Sequence, residues 1–176
     1  MAIATLKVIK CTGTSAATET DATGNLMRLM NADSTSQTDG ANPIAVPATG
    51  TNYSFENWYK FKVVTAPDNE IATIKVWGPN TQPNSDTKLT LYLGTTATGA
   101  TPVATASTVA VDRIDSGASE HNSQATALAV GTPQASDKLT AVNHETDFIV
   151  VQMKVEPAAV GGEGPVQTLS ISYDES

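Results

Sequence analysis

The chain has 176 residues, a formal net charge of −8 and only 16% charged residues. So acidic a chain lacks the cationic surplus that displaces counterions from phosphates or docks on anionic lipid, which argues against nucleic acid and membrane as partners. Its single cysteine, Cys11, excludes an intrachain disulfide, and a chain of this length buries roughly 70% of its unfolded surface without a metal or a covalent staple.

Thr, Ser, Ala and Val dominate, with frequent Gly, Pro, Asn and Asp between apolar runs, which is the composition of an all-β protein. The first strand expected is Ile3–Cys11. Its MAIATLKVIKC start has no apolar run long enough for a signal peptide, so synthesis in a cytoplasm is expected. No window approaches a membrane-spanning length of about 18 apolar residues.

Residues 12–51 are polar and irregular, with one apolar cluster, Leu26-Met27-Arg28-Leu29-Met30. A structureless stretch of that length is uncommon inside a compact domain. It reads as an extended arm lying on its own sheet or on a neighbour. Residues 1–51 are therefore expected to be a strand plus arm, and 52–176 the globular domain.

From Tyr53 onward, strand-like runs recur at 58–64, 71–77, 88–93, 103–111, 125–130, 138–143, 147–155 and 167–173. Short strands at this spacing predict an antiparallel β-sandwich, jelly-roll-like, or a barrel of about 8–9 strands. The runs 58–64 and 71–77 are expected to pair as a hairpin, as are the last two.

Aromatic residues concentrate in YSFENWYKFKVV at 53–64. Alternation puts Tyr59, Phe61 and Val63 on one face, and Trp58, Lys60 and Lys62 on the other. In the next run Ala72, Ile74 and Val76 share a face opposite Thr73, Lys75 and Trp77. Positions 58–92 carry Lys60, Lys62, Lys75 and Lys88 against Asp68, Glu70 and Asp86, a net +1 on a chain that is otherwise −9. Trp58, Lys60, Lys62, Lys75 and Trp77 thus form a candidate docking patch, since Trp is enriched at interaction hot spots. The alternative is that residues 12–51 fold over this face and cover both tryptophans.

Reactive constellations are absent from the sequence pattern. His121 and His144 have no ligand spacing, and Cys11 is the only thiol. Asp112 and Asp115 in DRID lack the repeat of a calcium loop. Asp112, Asp115 and Glu120 offer carboxylates that nothing orients. Gly161-Gly162-Glu163-Gly164 is not a phosphate-cradling pattern. No catalytic residue, metal or cofactor is expected.

NWYKFKVVTAPDNEIATIKVWG at 57–78, LYLGTTATGATPVATASTVA at 91–110 and the terminal ISYDES together resemble small all-β virion proteins of tailed bacteriophages, nearest in character to capsid decoration, or cement, proteins. The likeness covers roughly residues 50–176 in style and transfers no site residues. It implies a non-enzymatic virion protein that binds the outside of the shell formed by a major capsid protein, as a homo-oligomer, with a trimer favoured. Two alternatives are a tail or baseplate component, and a carbohydrate-binding or adhesin module in which Trp58, Trp77 and Tyr92 would stack on sugar rings.

Overall fold

A computed structural model of the chain describes residues 3–25, 28–36, 41–78, 89–110, 112–114, 121–161 and 168–176. Its strands are β1 (Thr5–Thr12), β2 (Thr18–Asp21), β3 (Asn52–Tyr53), β4 (Asn57–Thr65), β5 (Ile71–Trp77), β6 (Leu89–Thr96), β7 (Asp112–Arg113), β8 (Leu128–Ala129), β9 (Phe148–Val155) and β10 (Ser170–Glu175). Single 3₁₀ turns lie at Thr14–Ala16 and Gln124–Thr126. The larger sheet runs β2-β1-β4-β9-β6-β7, with β3 also paired to β9; the smaller runs β10-β5-β8. All pairings are antiparallel. The protein is an all-β sandwich of two sheets rather than a barrel.

The main core lies between the sheets. Tyr59, Val63, Leu91, Leu93, Ile149 and Val151 face it from the large sheet, and Ile71, Ile74 and Val76 from the small one, with Ile114, Val130 and Leu139 closing its sides. The inward sets on β4 and β9 follow the strict two-residue period of a pleated strand.

Neither expected hairpin forms. β4 is flanked by β1 and β9, while β5 lies in the other sheet between β10 and β8. The 66–70 connection crosses from one sheet to the other. Each strand has one apolar face, and stacking those faces buries more apolar surface than edge pairing would. β9 and β10 are separated in the same way, β10 pairing β5 from Ser170–Trp77 to Glu175–Ile71.

On β5 the alternation breaks. Thr73 takes a positive φ of 51°, opposite a register shift between Ser172 and Asp174. This bulge turns Ile71 onto the same buried face as Ile74 and Val76. Some expected strands dissolve. Residues 101–110 cross the sheet without strand pairing, and 138–143 retains only an Ile71–Leu139 bridge. The 125–130 run is a 3₁₀ turn followed by the two-residue β8.

β1 pairs β4 from Lys7–Lys62 to Cys11–Trp58, so residues 5–12 belong to the same sheet as 57–65. The described parts of 12–51 are tied to this sandwich. Lys10 Nζ donates to the Ser34 carbonyl and Gly13 N to Asp33 Oδ2. Phe55 N donates to the Met30 carbonyl and Asn57 Nδ2 to the Arg28 carbonyl. The described residues of the arm lie on the chain's own sheet. Leu26 and Met27 fall outside the described residues.

Candidate functional site

The outer face of the large sheet holds a second apolar cluster. Ile9, Cys11, Trp58 and Val150 rise from β1, β4 and β9, and Ala16 of the short turn between β1 and β2 and Ala110 of the long connection after β6 cover them, with Tyr92, Val109 and Phe148 at the sides. Trp58 is 0% exposed. Its ring meets Phe148 edge-on at 5.3 Å, and its Nε1 donates to Glu56 Oε2 at 2.9 Å.

Beside this cluster two lysines and two glutamates interlock. Lys60 Nζ lies 2.6 Å from Glu19 Oε1 and 2.8 Å from Glu145 Oε1. Lys62 Nζ lies 2.7 Å from Glu19 Oε2 and 3.6 Å from Glu145 Oε2. Lys60 Nζ also sits 5.5 Å above the Phe148 ring centroid, a cation–π placement. Burial works against the charge on Lys60, but the hydrogen bonds to Glu145 and Glu19 outweigh it and hold the ammonium above its usual range. The same hydrogen bonds keep the Glu19 carboxyl below its ordinary value. Neighbouring Cys11 is buried, and burial pushes its thiol up to about 11, so it behaves as a small inert hydrophobe.

A third fastening uses Gln152, which is 1% exposed on the same face. Its Oε1 accepts from Ser107 N, and its Nε2 donates to the carbonyls of Ser54 and Thr105 at 2.9 and 2.7 Å. The Ser107 hydroxyl in turn accepts from Val109 N and Ala110 N. Gly94 makes the close crossing possible, since a Cβ there would stand 1.6 Å from the Val109 carbonyl oxygen.

The candidate docking patch is therefore divided. Trp58 and Lys60 are buried by the chain's own connections, and Lys60 and Lys62 are neutralised by Glu19 and Glu145. Lys75 and Trp77 lie on the small sheet, half-buried, on the face turned away from Ile74 and Val76. No shared face unites the five residues. Trp58 is fully buried, and Trp77 lies on the opposite sheet from Tyr92 of β6, so a sugar-stacking surface of Trp58, Trp77 and Tyr92 is not formed either. Glu19 and Glu145 were invisible as partners in the sequence, because their proximity to β4 depends on long-range pairing with no local spacing.

The remaining sequence candidates are scattered. The Gly78 N–H donates to the His121 carbonyl, and His121 Nδ1 contacts the Thr126 carbonyl. His144 Nδ1 accepts from Thr140 N. Asp115 and Glu120 lie outside the described residues, as does the Asp112 side chain. Among the described residues, no group of three or more His, Cys, Asp or Glu is placed to hold a metal, and no helix is long and apolar enough to cross a membrane. Comparison with protein-family models, curated proteins and solved structures finds no match.

Proposed function

We propose that the chain is a non-enzymatic virion structural protein that binds the outer surface of a phage capsid shell as a decoration or cement protein. The observation that supports this reading is how its buried polar side chains are used. Lys60, Glu56 and Gln152 fasten long connections or neighbouring side chains to one sheet. A sandwich with its connections pinned down suits a protein that works by adding interface area, where many copies multiply modest individual affinities. The partners are the major capsid protein and further copies of the chain itself, as a trimer. Lys75 and Trp77 remain as the accessible part of the docking surface, on the outer face of β5.

Quantitative mass spectrometry of particles from the source lysate tests this reading. Hundreds of copies, in a simple ratio to the shell protein, are expected. A handful would move the protein to a vertex, tail or baseplate, and absence from particles would overturn the virion reading. With purified shells, at temperatures well below the unfolding midpoints of both variants, Trp77→Ala and Lys75→Glu are expected to weaken binding.

A further inference from the structure

The chain's two histidines use the same ring nitrogen in opposite ways. His144 closes the 140–144 turn, with its Nδ1 3.2 Å from the Thr140 main-chain N. A main-chain N–H can only donate, so Nδ1 accepts and the proton of the neutral ring lies on Nε2. His121 Nδ1 meets the Thr126 carbonyl, which can only accept, so there Nδ1 carries the proton. A second proton on the ring leaves the His121 bond in place. On His144 it turns the acceptor into a donor facing another donor, and the Thr140 bond is lost.

This turn fastens the stretch leading into β9 to β4. Within it, His144 N donates to the Ala141 carbonyl, and Asn143 holds a positive φ of 67°. Toward β4, Asn143 N donates to the Val63 carbonyl, Val63 N to the His144 carbonyl, and Thr146 N to the Phe61 carbonyl. Val142 stands exposed at the tip. The charged groups on the elements around His144 are engaged with one another. Glu145, the next residue, reaches Lys60 and Lys62 of β4, Glu19 shares both lysines, and Lys7 of β1 pairs with Asp21. On the other side Lys138 pairs with Glu70, just before β5. The contact that protonation of His144 changes is therefore its own bond to Thr140.

We propose that His144 is an acid-sensitive latch on the 140–144 turn. An imidazole ordinarily takes up its proton between about pH 5 and 8. The neutral ring holds the Thr140 amide and keeps the turn closed. The protonated ring cannot accept from it, and the turn opens as pH falls. The main-chain bonds of Asn143 and Thr146 to β4 do not involve the imidazole, so the sandwich stays folded. What changes is the placement of the turn and of the exposed Val142 at its tip. The proposal is independent of the virion reading, since it rests on this turn alone.

The test follows the Thr140 amide and both imidazole rings of the full chain by NMR between pH 8 and pH 5. At pH 8 the His144 ring is expected as the Nε2–H tautomer and the His121 ring as the Nδ1–H tautomer. On acidification the Thr140 amide should shift in step with the His144 ring. Its protection from exchange should fall severalfold while that of Ile149–Val151 holds. His144→Asn places an acceptor oxygen where Nδ1 stands and takes up no proton, so Thr140 should stay protected down to pH 5. His144→Ala should lose that protection at every pH. Asp147→Asn removes a neighbouring carboxyl that burial, and then Asp137, hold above its ordinary range, and it should leave the Thr140 response unchanged. A neutral His144 ring protonated on Nδ1, or a Thr140 amide indifferent to pH, overturns the proposal. So does a His144→Asn variant as acid-sensitive as the parent, a His144→Ala variant that keeps Thr140 protected, or a response that disappears in Asp147→Asn.

Discussion

The Trp58 indole N–H donates to the Glu56 carboxylate at 2.9 Å, and both residues are buried beneath the chain's own connections. A buried carboxylate is tolerated only with good partners, and its loss of a partner costs more than the bond itself contributes. Trp58→Phe keeps an aromatic ring beside Phe148 but leaves Glu56 without the indole N–H. It is expected to destabilise by about 2–4 kcal/mol. Glu56→Gln keeps an acceptor oxygen and should cost about 1 kcal/mol. Denaturant unfolding measures both. In a Trp77→Phe background, the remaining Trp58 emission should be blue-shifted and resistant to iodide. A red, readily quenched emission would mean that this face is open.

Gln152 ties the strandless 101–110 crossing to β9 by accepting from Ser107 N and donating to the Thr105 carbonyl, and it donates as well to the Ser54 carbonyl. Gln152→Leu, similar in volume, leaves Ser107 N and the carbonyls of Ser54 and Thr105 without it. It is expected to cost about 2–4 kcal/mol, since several buried backbone groups lose a partner together. Gly94→Ala lifts the same crossing from beneath, where its Cβ would overlap the Val109 carbonyl. Both variants should show faster amide exchange at residues 105–110 than at Ile149–Val151. Uniform loss of protection would mean that the crossing is not a separate unit.

The inward face of β4 was legible because pleated strands keep a strict period, as Tyr59-Phe61-Val63 shows, and β9 follows the same period in Ile149 and Val151. Strand partners were not legible. A face pattern says which side is buried, and it does not say whether the next apolar strand pairs at the edge or stacks across the core. That is why 58–64 and 71–77 read as a hairpin and lie in opposite sheets. The outer face of β4 was misread for a related reason. Lys60 and Lys62 look like solvent-facing cations until Glu19 and Glu145, distant in sequence, are brought beside them.

Thr73 is β-branched, exposed and held at φ 51° in the β5 bulge. A β-branched residue in left-handed backbone is strained by about 1–3 kcal/mol. Asn tolerates that conformation, and position 73 faces solvent, so Thr73→Asn removes strain with little loss of packing. It is expected to raise stability by about 0.5–1 kcal/mol. Thr73→Pro cannot adopt a positive φ and should be strongly destabilising. A destabilised Thr73→Asn would mean that the bulge is absent and that Ile71 reaches the core by another route.

The interlocked Lys60, Lys62, Glu19 and Glu145 should shape the pH dependence of stability. Glu19 is held below its ordinary value by hydrogen bonds to Lys60 and Lys62. A group whose folded pKa is depressed contributes stability that is present above its unfolded pKa and lost as pH falls through the folded value. Lys60 and Lys62 are held above their ordinary value by Glu145 and Glu19, so their contribution is complete below the unfolded lysine pKa and lost as pH rises through the folded one. The network therefore supports the fold on a plateau between ordinary carboxylate and ordinary lysine titration, about pH 4.5 to 10.5. Glu19→Gln removes one carboxylate from both lysines and leaves the nearly buried Lys60 with Glu145 alone. Glu19 is itself partly exposed, at 38% of its side chain, so screening limits the loss to about 1–2 kcal/mol at pH 7. The deficit should shrink as pH falls below the ordinary carboxylate range, where the unfolded chain's Glu19 takes up a proton that the folded one resists. It should also shrink in 1 M salt, as the exposed half of the network is screened. Denaturant midpoints of parent and variant at pH 3, 5 and 7 measure it. A deficit that stays constant across that range would place the Glu19 contribution in packing rather than charge.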